Sequence, residues 1–374
     1  MSLLKGSVTF TRFRIAGNHP AHFSTFIDER LKKYAFRESA VQGDEDNTGW
    51  TSLENILDTD FKNEEYALGD YLLFSLRIDR KMVPASLLKV RLLEGEKKLR
   101  VESGGKRIYR EQREILKEQI RAGLLENSHP IPSFHGVCWS VSKNMLFFSS
   151  LTEKASEEFQ DLFKRSFGLT VYPFVPWEGA SMADNETTAS STTAGKARTH
   201  KAAGADESTP AFSPGREFLT WLWFKSEERG GTVMIPDLGD TGVTFLRRIV
   251  LESGDGDYSE SVVCQGLHSD LKEGKEALRR GKKIKEARIK LTRDAADWEF
   301  TLKADYFHFQ SMKLPVAPDE EEEKEADGRT LERIYLMETA AGIMDRLFEL
   351  FLTVRRSPGW ITEELPRMEK WLHQ

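Results

Sequence analysis

Cysteine is nearly absent. Cys138 and Cys264 are the two in 374 residues, too few and too isolated for a disulfide framework or a CxxC-type zinc site. Both sit in apolar, strand-like runs and read as reduced core residues of a cytoplasmic protein. The eight histidines are scattered without HExxH or HxH spacing, and no GxSxG, Walker A or dinucleotide fingerprint occurs. No metal, no cofactor and no enzymatic activity are therefore expected. Long hydrophobic runs are missing too. The greasiest stretch, Ile343–Val354, is short and contains Asp345, Arg346 and Glu349, which argues against a membrane span of about 20 apolar residues. Met1–Gly6 lacks the apolar core of a secretory signal. Nor is there any overall positive excess: 54 Lys and Arg face 60 Asp and Glu, a net charge of −6. A strongly positive element in such a chain is a placed charge.

What is present is an alternation of strand and helix patterns. Val8–Ile15 alternates as a strand; Asn18-His19-Pro20 marks a helix start, and Phe23, Phe26, Ile27, Leu31 and Tyr34 share one helical face. The span Gly43–Thr48 reads as a polar loop and Tyr71–Ile78 as a buried strand. Pro84 opens a long helical region broken at Gly104-Gly105 and resumed through Ile108, Ile115, Leu116 and Leu124. Val137–Val141 and Met145–Ser149 flank a tight turn, Thr152 caps a helix ended by Gly168, and Leu169–Val175 is another strand. From Ala180 to Thr209, twenty of thirty residues are Ala, Ser, Thr or Gly, the composition of a flexible linker. Beyond it a helix begins at Ser213-Pro214, and Thr232–Ile235, Val243–Glu252, Tyr258–Gly266 and Phe307–Leu314 read as strands. The helix Leu331–Arg355 follows. Three parts result: an N-terminal α+β half at 1–177 with a basic helical region at 77–121, a linker at 178–213, and a C-terminal α+β half at 214–374. The last holds a basic stretch at 272–293 and the long C-terminal helix. With hairpins and no βαβ repeat, the fold class is α+β, with mixed or antiparallel sheets and long amphipathic helices.

Two stretches concentrate positive charge. Between Lys272 and Arg293 ten Lys or Arg stand against three Glu; between Arg77 and Arg121 fourteen stand against seven Asp or Glu. Each stretch is +7, so the rest of the chain carries −20. Placed positive charge meets phosphate, and a duplex offers roughly one charge per 1.7 Å of axis. The two stretches are expected to wall one phosphate-binding surface. Its candidates are Lys81, Lys89, Lys97, Lys98, Arg100, Lys106, Arg107, Arg110, Arg113 and Lys117 from the first, and Arg279, Arg280, Lys282, Lys283, Lys285, Arg288 and Lys290 from the second. Ile289, Leu291, Trp298, Phe300 and Leu302 are expected to form the sheet that holds the second set. The competing reading of the first stretch is a solvated helix face, Glu114 and Glu118 pairing with Lys117 and Arg121. In the second, Arg279, Arg280, Lys282, Lys283 and Lys285 have only Glu286 beside them along the chain. No zinc finger, RNP1 signature or GxxG clamp is visible, which favours backbone contact over base readout. The Lys272–Arg293 run holds no aromatic residue, which favours duplex over single strand. A metal-dependent nuclease would need converging carboxylates. Asp237, Asp240, Glu252, Asp255 and Asp257 are the densest group, with Asp255-Gly256-Asp257 read as a hairpin turn and Asp319–Asp327 as an acidic loop. A third reading is a protein-binding scaffold with a basic face.

The chain resembles RdgC, the bacterial recombination-associated family. Met82-Val83-Pro84-Ala85-Ser86-Leu87-Leu88-Lys89 is similar to the family's start of a long charged helical region. Val137–Phe148, the helix Ala155–Phe167 and the strand ending Val171-Tyr172-Pro173 continue the likeness. In the second half it is carried by Phe218-Leu219-Thr220-Trp221-Leu222 and by the run from Glu273-Gly274-Lys275 to Lys313-Leu314. The resemblance implies a homodimer closed into a ring that encircles duplex DNA without sequence preference, associated with the nucleoid and cytoplasmic. It also implies antagonism of RecA-mediated strand exchange; members have been labelled exonucleases, but no metal site carries over. The chain departs from the family pattern at the 180–209 linker, the long hairpin Val243–Gly266 and the acidic run before the last helix. It departs also at Glu126, Asn127, Ser128 and His129, where members often carry an Arg and a Phe at a ring contact.

Overall fold

A computed structural model of the chain describes residues 3–17, 20, 22–38, 46–62, 65–105, 107–178, 214–228, 230–253, 260–265, 272–315 and 326–373. Asn18 and His19, the 180–209 stretch, Lys106, Asp255, Asp257 and nearly all of the Asp319–Asp327 run lie outside the described residues. The chain divides into two compact units that no single cut separates: Ile15–Asn144 with Glu153–Val171, and Met1–Arg14 with Met145–Thr152 and Tyr172–Gln374.

In the first of these, β4 (Tyr71–Lys81) runs between β2 (Asp46–Ser52) and β5 (Pro130–Ser140), with the short β3 (Ala67–Leu68) also on β4, all antiparallel. Asp46 to Thr48 belong to β2 and are not loop. Their polar side chains hide a strand whose backbone pairs with Ile78–Arg80, a pairing that side-chain pattern does not report. The helices α1 (Phe23–Lys33) and α4 (Glu153–Phe167) supply the apolar cover. Trp50, Phe74, Trp139, Phe159 and Phe163 are fully buried, their rings in edge and tilted contacts. The indole N–H of Trp50 donates to the Ser166 hydroxyl at 2.8 Å, so the buried donor is satisfied. Gly49 is obligatory here: a Cβ would sit 2.3 Å from the Phe36 Cα. Helix α1 starts at Phe23, later than the Asn18-His19-Pro20 signal, with His22 left-handed at its N-cap.

From this unit also come α2 (Ala85–Glu102) and α3 (Arg110–Glu126). The two helices lie against each other along Gly95, where a Cβ would meet Ile120 at 3.0 Å and Leu116 at 3.3 Å. Neither helix has a single buried residue. The expected break falls at Gly104 and Gly105, both at positive φ (67° and 84°), which turn the chain back without the strain that a Cβ would bring.

After α4 comes β7 (Thr170–Pro173). In the other unit an antiparallel sheet follows the order β10 (Ser261–Gln265), β9 (Gly239–Glu252), β11 (Lys283–Arg293), β12 (Ala296–Lys303), β13 (His308–Lys313), β1 (Val8–Ala16) and β6 (Met145–Phe148), with β8 (Thr232–Ile235) also on β9. Asp294 and Ala295, both at positive φ, close the two-residue turn between β11 and β12. Ile284, Ala287, Ile289 and Leu291 are buried with Trp298, Phe300 and Leu302, as expected of the sheet. The step of three from Ile284 to Ala287 is a bulge against β9. The helices α5 (Pro214–Glu228), α6 (Lys272–Arg279), α7 (Ala326–Arg356) and α8 (Leu365–Leu372) complete this unit, α7 burying Ile334, Met344, Leu347, Phe348 and Phe351. Arg12 on β1, its side chain 3% exposed, forms a bidentate pair with Asp345 of α7 at 2.6 and 2.8 Å. Cys138 and Cys264 are buried thiols. Among the described residues no helix is long and apolar enough to cross a membrane.

Candidate nucleic-acid interface

The two basic stretches fold into different units and into different kinds of element. Arg77 and Arg80 of the first are committed locally. Arg77 holds Asp79 with two bonds at 2.7 Å and lies over the Phe36 ring, and Arg80 pairs with Glu158. Lys81 ends β4, half-exposed. The remaining candidates belong to the α2–α3 hairpin. Arg113 crosses to Glu96 of α2 at 2.5 Å, Arg91 pairs with Glu94 at 2.9 Å and Lys117 with Glu114 at 3.6 Å. Lys89, Lys97, Lys98, Arg100, Arg107 and Arg110 are exposed and have no carboxylate partner among the described residues. Stitching of the helix face by i,i+3 pairs is thus real but partial. Lys106 lies outside the described residues.

The absence of buried residues explains the availability of these charges. With no residue of either helix buried, the side chains away from the seam gain few neighbours among the described residues of their own unit. Leu88, Leu92 and Leu99 recur on the half-buried side of α2, as a seam requires, while Lys97, Val90 and Val101 lie on the opposite side.

Strand β11 is arranged otherwise. Lys282 reaches Glu260 at 2.9 Å, Lys285 reaches Glu252 at 2.9 Å, Arg288 clasps Glu299 at 2.7 Å and Lys290 meets Asp297 at 2.8 Å. Arg279 and Arg280 share Glu276. Lys283 alone of the second set has no carboxylate partner among the described residues. The expectation that these cations have only Glu286 beside them is therefore corrected. Glu276 on the same helix serves Arg279 and Arg280, whereas residues brought close by strand pairing supply the acids for Lys285, Arg288 and Lys290. The carboxylates register the pairing. The Lys285 hydrogen bond holds Glu252 below its ordinary range, Lys282 does so for Glu260, and Lys290 for Asp297. Burial pushes Glu299 up, but hydrogen bonds from Arg288 and Lys313 leave it lowered overall. A phosphate approaching this strand would compete with carboxylates already in place.

Glu252, one of the acids singled out for a metal site, is held by Arg216 at 3.0 Å and by Lys285, which leaves little room for a cation. Among the described residues no group of three or more His, Cys, Asp or Glu could hold a metal ion. The sequence reading passed over two residues at the turn of the hairpin. Tyr109 is 71% exposed and Val101 is 74% exposed. The available signal was an aromatic residue set between Arg107 and Arg110 just past a Gly-Gly break.

Residues 9–187, which include the whole hairpin and stop short of β11, match the family model described as "Putative exonuclease, RdgC". Over that span the chain is similar to the RdgC family. No curated protein matches the chain. The likeness to RdgC fits a recombination-related, DNA-associated role, and the matched span contains the α2–α3 hairpin.

Proposed function

We propose that this RdgC-like protein binds duplex DNA without sequence preference and modulates recombination. The carrying observation is the set of exposed cations on the α2–α3 hairpin that have no carboxylate partner among the described residues: Lys89, Lys97, Lys98, Arg100, Arg107 and Arg110. Each cation that meets a phosphate releases condensed counterions, and nothing in the set resembles a module for reading base edges. Lys81 and Lys283 extend the set within their own units. The remaining cations of the Arg279–Lys290 set act first as ion-pair partners. In keeping with the resemblance, the active species is a homodimer that encircles the duplex, and occupancy of the duplex antagonises RecA-mediated strand exchange. A nucleoid-associated, cytoplasmic location follows from that role.

The test is equilibrium binding of a labelled duplex of arbitrary sequence as salt rises. Six phosphate contacts correspond to a loss of about a thousandfold in affinity between 50 and 200 mM salt. A flat profile, or no binding at low salt, refutes the reading. Light scattering and a strand-exchange assay with added protein test the dimer and the RecA antagonism separately. The family description favours a second reading, an exonuclease. End-labelled linear duplex incubated with Mg²⁺ or Mn²⁺ decides it, degradation lost on substitution of Asp255 and Asp257 being the result that supports the enzyme.

A further inference from the structure

We propose that the end of the α2–α3 hairpin recognises interrupted duplex, Tyr109 stacking on a base left open at a gap while the arginines around it hold the flanking phosphates. This rests on the DNA-binding reading above and adds a substrate preference to it. Tyr109 stands at the N-cap of α3, where its backbone N–H donates to Gln112 Oε1 at 3.1 Å, so the helix start fixes the residue that carries the ring. The ring is 71% exposed and stacks on no other ring of the described residues. Across the turn, Val101 is similarly exposed, and Gly104 and Gly105 between them add no side chain. Arg100, Arg107 and Arg110 have no carboxylate partner among the described residues.

An exposed aromatic residue set between Arg107 and Arg110, which have no carboxylate partner among the described residues, suits one chemistry best. A protein partner would have to bring a carboxylate for each arginine together with an apolar seat for the ring. A nucleic-acid strand brings both at once, phosphates for the forks and a base face for the ring. Within an intact duplex both faces of each base are already stacked. An open face exists where the duplex is interrupted, so the ring adds affinity there.

The experiment compares binding of the full chain to a labelled duplex and to the same duplex carrying a two-nucleotide gap. Base–aromatic stacking predicts a preference for the gapped form of about tenfold. Tyr109→Ala should bring the ratio close to one, and Tyr109→Phe should retain it. With Tyr109 71% exposed, circular dichroism should show both variants folded. Equal binding of the two DNAs by the native chain, or a preference that survives Tyr109→Ala, overturns this inference alone. No binding to either DNA overturns the duplex-binding reading and this one with it.

Discussion

On α2, Lys97, Lys98 and Arg100 face no carboxylate among the described residues, whereas on β11 Lys285, Arg288 and Lys290 each hold one at 2.7–2.9 Å. Both elements come from stretches with the same +7 excess. The difference lies in what surrounds them. A strand inside an antiparallel sheet has neighbours on both sides at about 5 Å, and residues remote in sequence fill those positions. A two-helix hairpin with nothing buried has only its own seam. Equal charge excess thus becomes internal pairing in one region and a free electrostatic surface in the other, and net charge of a segment is a poor guide to its field.

The comparison can be broken most severely through ion pairing itself. Asp345→Ala would strand the Arg12 guanidinium, 3% exposed, inside the unit that contains β11, at a cost of about 3–5 kcal/mol in a urea melt. A loss under about 1 kcal/mol would mean that pairing contributes little there.

Acid should act on the same unit. Burial, with Lys303 and Arg12 nearby, lowers His308 from 6.5 to about 4. The folded pKa is depressed, so its contribution is complete above pH 6.5 and is lost as pH falls through 4, at most about 3 kcal/mol. His308→Gln should flatten that part of the stability profile. Below about pH 4.5 a second loss is expected as Glu252 and Glu299, both depressed, take up protons.

Removing the hairpin charges should leave the fold intact and weaken DNA binding. Lys97→Ala with Lys98→Ala and Arg100→Ala should reduce the salt slope by about three and affinity by on the order of a hundredfold near 100 mM salt. The smallest effect is expected on the other side. Lys285→Ala with Arg288→Ala and Lys290→Ala should change affinity by less than about threefold and cost about 1–2 kcal/mol of stability, since Lys285 and Lys290 are well exposed. If the β11 variant lost as much affinity as the hairpin variant, the contrast between the two regions would be wrong.

Much of the architecture was legible beforehand. Periodicity located β1, β4, β8, β13, α4 and α7 to within a few residues, and Ile289, Leu291, Trp298, Phe300 and Leu302 were placed in the sheet that β11 and β12 form. Each of these carries its own signal: a period of two or 3.6, a cap, or a turn that needs positive φ. Asp46–Thr48 was missed because a polar edge strand is defined by backbone bonds to Ile78–Arg80 and not by its side chains. Of the candidate site, the basic stretches themselves were legible. Their division into paired and unpaired cations was not, since Glu252 and Glu260 lie far along the chain from the lysines that they neutralise.

By itself the sequence determined that two positive segments exist, that one is a broken helix and the other runs into a sheet, and that the apolar residues of that sheet face a core. Tertiary structure alone decided which charges remain available. Ion pairing falls off within a few ångströms, and which side chains come that close depends on strand order and on how little the hairpin buries among the described residues.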